Sequence, residues 1–265
     1  MIYRFPKLTS TNDEAVKPTY REGDIIIAES QTAGRGQRGH TWESAEKQNL
    51  TFTLVLEPAF LAPEKQFLLS EAVALGMVDM LEEYGIVAQI KWTNDIYICN
   101  RKVAGILIEH KLQGAGIART IAGIGLNVNQ MAFSADLPNP ISMRQARRFE
   151  FDRDEVLTCL ASHLMARYEQ LRSGDEQGLQ QDYHEKLYHL GALHWFVLPD
   201  GRRFRGTIRG VEPSGALRVE DEKRVERSFL VKEIEWLMGC SHERVRRSHR
   251  MASQSRCEVR KSLFF

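Results

Sequence analysis

The 265-residue sequence predicts an α+β fold, a mixed β-sheet with helices followed by a small antiparallel β-barrel. Three observations carry this. Short apolar runs of strand character recur between residues 24 and 124, interrupted by one long stretch of helical periodicity. Two further helical stretches follow Asp152. The pattern then changes to four short strands between 193 and 238, punctuated by Asp200-Gly201 and Ser214-Gly215, which is the spacing of a small barrel. The implied division is a first domain over 1–190, a second over 191–238 and a separate basic segment over 239–265.

Taken in order, Thr9, Ser10 and Thr11 offer hydroxyl caps with Asp13 and Glu14 three residues on, so a helix is expected to begin near Ser10. Residues 24–29 read as a short buried strand. Residues 49–56 put Leu50, Phe52, Leu54 and Leu56 on one face with period two, a second strand. A Gly-rich loop joins them. Over 64–84, after Pro63 and before Gly85, apolar residues such as Phe67, Val73, Leu75 and Val78 recur at helical spacing, which predicts a long amphipathic helix packed on the sheet. Residues 87–92, 96–99 and 103–110 read as strands, the last two joined by a turn at Asn100 and Arg101. A strand over 118–124 runs into Gly125, Leu126 and Asn127. Beyond Pro138 and Pro140, Asp152 caps a helix reaching Leu171, and another spans about 178–190 before Gly191. The barrel strands are expected at 195–198, 204–208, 216–219 and 225–231.

Composition narrows the function classes. With 36 Lys and Arg against 35 Asp and Glu the formal net charge is +1, so nothing demands a polyanionic partner. A hydrophobic fraction of 43% can fill a core and excludes wholesale disorder. No apolar run approaches the ~18 residues that span a bilayer, and the N-terminus lacks a signal-peptide core, so a soluble cytoplasmic protein is expected. Cys99, Cys159, Cys240 and Cys257 form no C-x-x-C pair; reduced thiols fit, and a structural zinc site is unsupported. Residues 241–265 carry seven Lys and Arg against two acids, leaving the rest of the chain at net −4. Such a segment reads as a flexible solvated extension or an electrostatic docking arm.

Four stretches carry chemistry. Residues 29–42, ESQTAGRGQRGHTW, interleave three glycines with Arg35, Gln37 and Arg38 after a strand. Glycines let a backbone approach a ligand and guanidinium recognises phosphate or carboxylate, so this is either an anion site or a merely solvated loop. Its spacing matches neither the dinucleotide fingerprint nor the P-loop. Lys91-Trp92-Thr93-Asn94-Asp95 sits at a strand-to-strand turn, where Asn and Asp serve local hydrogen bonding or a phosphate and metal site equally well. Residues 101–107, RKVAGIL, place Lys102 at a strand start. Gly123 and Gly125, in GIGLN, lie on a core strand where glycine often marks a close approach.

Together with Ser10-Thr11-Asn12, these ordered motifs resemble biotin protein ligases, covering STN, QTAGRG with a downstream Trp, KWxND, RKxAGIL, GxGxN and the small C-terminal domain. The resemblance implies a class II synthetase-like catalytic domain with a mixed sheet, an SH3-like C-terminal barrel, and ATP-dependent joining of biotin to a carboxylase's biotin carboxyl carrier domain through biotinyl-5′-AMP. ATP, Mg²⁺ and biotin are the implied ligands; monomer and homodimer both occur in the family. Ser10, Thr11, Asn12 and Gln31 would bond the ureido ring. Gly34, Arg35, Gly36 and Gln37 belong to the loop closing over biotin, with Trp42 a wall and Gly105, Gly123 and Gly125 beside it. Lys102 would contact the biotin carboxylate and reacting phosphate. Arg35, Arg38, Lys91, Asn94, Lys102 and Asn127 form the nucleotide side. One position departs, because Gln37 stands where the family most often has Arg, and Arg38 follows; the sequence leaves open which closes the loop.

Two anions must meet in the first step, so Arg35, Lys102 and Lys91 are the expected charge-stabilising residues, and Asp95 the carboxylate that helps the carrier amine. A closing loop protects a hydrolysable intermediate, and the loop is expected to be disordered when empty. The STN motif begins at residue 10, which leaves no room for a preceding helix-turn-helix and suggests a monofunctional ligase. The alternatives are a lipoate or octanoate ligase of related fold and a biotin-sensing DNA-binding regulator acting through the basic segment.

Overall fold

The computed structural model describes residues 1–37, 41–114 and 116–237. Its large sheet comprises β1 (Ile2–Leu8), β2 (Ile25–Gln31), β3 (Leu50–Leu56), β4 (Gln89–Lys91), β5 (Asp95–Ile98), β6 (Arg101–Gln113) and β7 (Gly116–Leu126). They lie in the order β1-β2-β3-β7-β6-β5-β4. β1 and β2 are parallel and the other neighbours antiparallel, so the mixed sheet expected from the sequence is present. A parallel pair needs a crossover, which α1 (Thr11–Ala15) supplies.

One face of this sheet makes the core. Phe52, Ile124 and Ile106 stand opposite one another across β3, β7 and β6 and join a single apolar cluster with α2 (Phe67–Glu83) and α4 (Arg153–Arg172). The expected amphipathic stripe on α2 is corrected: burial runs nearly all round it, from Leu68 and Leu69 through Glu71, Leu75 and Val78 to Leu81. A helix covered on all sides has no polar face to keep, and here the sheet lies on one side and α4 and α5 (Glu176–Glu185) on the other. Gly76 permits the close crossing, since a Cβ there would stand 2.9 Å from Leu164 Cα.

The second sheet holds β8 (Leu193–Val197), β9 (Arg203–Val211), β10 (Leu217–Asp221), β11 (Glu226–Phe229) and β12 (Glu235–Trp236), antiparallel in the order β11-β10-β9-β8-β12. Its Phe196, Ile208 and Leu217 join the same apolar cluster as the large sheet.

Several boundaries differ from expectation. β1 was not foreseen, and neither was α3 (Met143–Arg147), which Ser142 and Gln145 close with a reciprocal capping box. The β5–β6 turn is Cys99-Asn100 rather than Asn100-Arg101, because Ile98 pairs with Arg101 and Cys99 takes the positive φ of 55°. α5 begins earlier than expected, where Asp175 accepts the Gly178 N–H, and ends at Glu185. Among the described residues no helix is long and apolar enough to cross a membrane. The basic segment 239–265 lies outside the described residues.

Candidate active site

A cavity of about 730 Å³ lies on the sheet face that carries Thr51, Gly125 and Gly105, three residues directly opposite one another on β3, β7 and β6. It collects residues far apart in the chain, from Ser10 to Trp236.

One end is neutral and polar. Ser10 is the N-cap of α1, yet its side chain makes no capping bond and lines the cavity instead. The Thr11 N–H donates to Gln31 Oε1 at 2.7 Å. Thr53 donates to Asn12 Oδ1 at 2.7 Å and shares a hydroxyl bond with Thr11 at 2.8 Å. Asn12 in turn donates through Nδ2 to Glu109 Oε2 at 2.7 Å and to the Leu107 carbonyl at 3.3 Å. Asn12 is thus fully bonded and buried, whereas among the described residues Ser10 and Gln31 keep donors for a ligand.

The glycine loop brings Arg35 to this end. Its guanidinium donates to Asp13 at 2.7 Å and to both oxygens of Glu109 at 3.0 Å. A bidentate carboxylate grip is what a guanidinium fork fits best. Gln37 reaches the opposite side, where Thr93 Oγ1 donates to its Oε1 at 3.0 Å. Gly34 and Gly36 both belong to this loop, Gly36 lining the cavity; a Cβ at Gly34 would stand 2.6 Å from the Trp42 carbonyl oxygen and 2.9 Å from Gln31 Nε2. Arg38 and the neighbouring positions 39 and 40 of the loop expected to be disordered when empty lie outside the described residues.

The remaining glycines seat side chains. A Cβ at Gly125 would fall inside the Trp42 indole, and one at Gly123 would overlap the Asn12 carbonyl oxygen. A Cβ at Gly105 would stand 3.2 Å from Lys102 Nζ and 3.4 Å from Trp42 Cζ3. The three glycines therefore serve the cavity by admitting Trp42, Asn12 and Lys102 onto the sheet. Trp42 Nε1 is buried with no partner among the described residues.

The cationic side follows from the β4–β5 turn and the start of β6. Lys102 Nζ pairs with Asp95 at 2.7 Å, the two side chains 33% and 24% exposed. Asn94 donates its amide to the Ile106 carbonyl, while the Ile106 N–H returns to the Asn94 carbonyl at 2.9 Å, so this residue pins the turn onto β6. Asn127, buried, donates to the Ile141 carbonyl at 3.2 Å. Lys91 Nζ lies 3.3 Å from the Tyr97 hydroxyl and over the Tyr97 and Trp236 rings, at 5.0 and 5.5 Å. Burial, reinforced by the Asp95 charge, pushes the Tyr97 phenol well above its ordinary range, so it stays a neutral donor.

The expected residues Ser10, Thr11, Asn12, Gln31, Arg35, Gly36, Gln37, Trp42, Lys91, Asn94, Asp95, Lys102, Gly105, Gly123, Gly125 and Asn127 all line this one cavity. Sequence reasoning missed Glu109, Thr53 and the β12 wall. Glu109 follows Gly105 and Leu107 at period two, a signal that places it on their face. Trp236 is sandwiched between Tyr188 at 5.5 Å and His194 at 5.7 Å, both at 17°. Burial, with His194 beside it, pulls His189 down to about 4, and burial also lowers His194, so the imidazoles around Trp236 are neutral at physiological pH. No spacing in the sequence ties Trp236 to a strand 140 residues earlier.

A family model described as Biotin/lipoate A/B protein ligase family matches residues 2–129. The biotin--[acetyl-CoA-carboxylase] ligase of Paracoccus denitrificans is 31% identical over 222 residues, covering 78% of this chain and 89% of that protein. The bifunctional ligase/repressor BirA of Bacillus subtilis is 33% identical over 210 residues, and its counterpart from Bacillus spizizenii 30% over 214; the matches span 60% and 65% of those longer proteins. In fold, the chain is similar to biotin protein ligase from Aquifex aeolicus in complex with biotin and ATP, with a TM-score of 0.76 at 24% identity over 89% of this chain and 98% of that one. The chain belongs to the biotin/lipoate A/B protein ligase family.

Proposed function

We propose that the chain is an ATP-dependent biotin protein ligase acting on the biotin carboxyl carrier domain of a carboxylase. In the first step a biotin carboxylate oxygen attacks the α-phosphorus of MgATP, the bond to pyrophosphate breaks, and biotinyl-5′-AMP forms. In the second a carrier lysine amine attacks the acyl carbon, AMP leaves, and one proton is released. Mg²⁺ belongs to the nucleotide substrate, held chiefly by triphosphate oxygens and water. The observation that carries this reading is a single cavity joining a polar end, with Ser10, Gln31 and the Arg35 guanidinium, to a cationic side with Lys91 and Lys102.

The resting pairs give the residues their order of action. Lys102 rests on Asp95, and Arg35 on Asp13 and Glu109. When carboxylate and phosphate enter, both cations turn to them and neutralise the charge that builds as the two anions meet. Lys102 leaving Asp95 frees that carboxylate to take the carrier amine's proton in the second step. Trp42, laid on Gly105 and Gly125, offers a flat apolar wall, and Trp236 closes the far side. The residues 1–190 form the catalytic unit and 191–238 the small barrel that lends this wall. A cytoplasmic location fits the carboxylase partner.

The family description includes lipoate ligases, while the relatives and solved neighbours named above are biotin ligases, and that favours biotin. Purified protein given labelled biotin, ATP and a carrier domain is expected to label one lysine, with lipoate a poor competitor. Labelling by lipoate alone overturns the assignment.

A further inference from the structure

Away from the cavity, the α2–α4 helix pair carries a second group of reactive side chains that the ligase chemistry does not use. Cys159 and His163 are four residues apart on α4 and so share one face, and Glu83 reaches them from the last residue of α2. His163 Nε2 lies 2.7 Å from Glu83 Oε2, and one donor atom from each of the three residues lies within 4.8 Å of the others. They open into a groove of about 580 Å³ that Asp154, paired with Arg4, and Glu155 also line, with no Lys or Arg in its lining among the described residues.

We propose that Glu83, Cys159 and His163 form a binding site for a thiophilic divalent cation of the Zn²⁺ class. Thiolate, imidazole and carboxylate are the donor set such an ion takes, with water in the fourth position. Tetrahedral coordination needs donors about 3.3–3.8 Å apart, given metal–ligand bonds of about 2.0–2.3 Å. The widest separation, at most 4.8 Å, exceeds this range by no more than about 1–1.5 Å and the Glu83–His163 contact of 2.7 Å falls short of it, adjustments within the rotamer freedom of a Glu83 side chain that is 63% exposed. Charge also fits. Thiolate and carboxylate neutralise a divalent ion, and the C-terminus of α2, where Glu83 sits, adds negative partial charge. Binding replaces the Cys159 S–H proton, which passes to solvent, and no electrons move. A nucleophilic role is the weaker reading, because burial and the Glu83 charge raise the Cys159 thiol above its ordinary value and keep it protonated. The Cys-x-x-x-His spacing lacks the paired cysteines of structural zinc sites, which is why the sequence gives no such signal.

Co²⁺ is the direct probe, because a thiolate ligand gives it a near-ultraviolet charge-transfer band. Tag-free full-length protein titrated with Co²⁺ is expected to develop that band at one equivalent, and Zn²⁺ to erase it. Cys159→Ser should abolish the band, and His163→Gln and Glu83→Gln should weaken Co²⁺ binding at least tenfold, each variant melting within a few degrees of wild type. If Cys159→Ser misfolds, His163→Gln carries the test. No band at saturating Co²⁺ overturns the proposal and leaves a Glu83–His163 hydrogen bond only. A band that survives Cys159→Ser overturns it too, since the thiol then belongs to Cys99, Cys240 or Cys257.

Discussion

Lys102 and Arg35 reach the cavity from opposite sides, and each is met there by carboxylates. With these pairs between a quarter and a half exposed, each is worth about 0–1 kcal/mol, so an arriving phosphate displaces the carboxylate at little cost. In the transition state of the proposed reaction the same cations would stabilise charge in a drier setting and count for far more. Lys102→Ala is therefore expected to lower biotin-dependent ATP–pyrophosphate exchange by roughly 10²–10³-fold, about 3–4 kcal/mol; exchange within a factor of three of wild type would remove Lys102 from the chemistry. In the same reading Glu109 stands one step back, as a positioning residue. It receives Asn12 and both arms of Arg35, so Glu109→Gln should raise the KM for biotin about tenfold, the loss of one charged hydrogen bond, while kcat falls much less. Steady-state titration of biotin checks this, and a fall in kcat at unchanged KM would sink it.

At the scale of elements, packing decides what local propensity leaves open. Gly76 is unfavourable inside a helix by about 1 kcal/mol relative to Ala, so propensity alone predicts that Gly76→Ala stabilises α2. The new Cβ would lie 2.9 Å from Leu164 Cα and 3.0 Å from its nitrogen, which are backbone atoms that cannot rotate away. Overpacking of that kind costs about 1–3 kcal/mol. The net expectation is destabilisation, read as a lower urea midpoint; a higher midpoint would show that α4 can shift outward freely. The same contest explains what was legible beforehand. The core strands β3 and β7 and the capped helix α4 announce themselves because their apolar residues are concentrated or spaced in the sequence, although β3 is buried at every position and not on one face alone. β1 was illegible, since IYRFPKL mixes Pro6 and Lys7 with apolar residues and is half exposed. It exists because its backbone pairs with β2. α2 showed its period but not its second covered side, which depends on α4 and α5 arriving eighty residues later. The site motifs were readable as a set because each needs its own residue type, whereas Glu109 and Trp236 acquire their place from strand register and from the second sheet.

Across the whole molecule, α2 joins the two sheets, and a buried acid sits at that junction. Glu71 is 1% exposed, its Oε2 has no partner among the described residues, and the fully buried Tyr183 hydroxyl is likewise unpaired. Tyr183 packs edge-on against Phe67 at 5.8 Å. Phe67 lies against Gly215, whose carbonyl accepts the Trp92 indole N–H at 2.9 Å, and Trp92 lines the cavity. Burial pushes Glu71 from its ordinary 4.5 up to about 8. The folded chain therefore holds this proton more tightly than the unfolded chain does. Below about pH 4.5 both states are protonated and the group's contribution is fully favourable. Between there and about pH 8 the unfolded state ionises first, stability falls as pH rises, and above pH 8 the loss is complete. At about 1.4 kcal/mol per unit, the part lost between pH 6 and pH 9 is on the order of 2–3 kcal/mol. Glu71→Gln cannot ionise, so the difference in unfolding free energy between variant and wild type should swing toward the variant by that amount over the same interval. Urea unfolding at pH 6 and pH 9 measures it. Parallel pH profiles for the two proteins would mean that Glu71 finds a partner or water on ionising, and that the junction between the sheets is not the pH-sensitive part of this molecule.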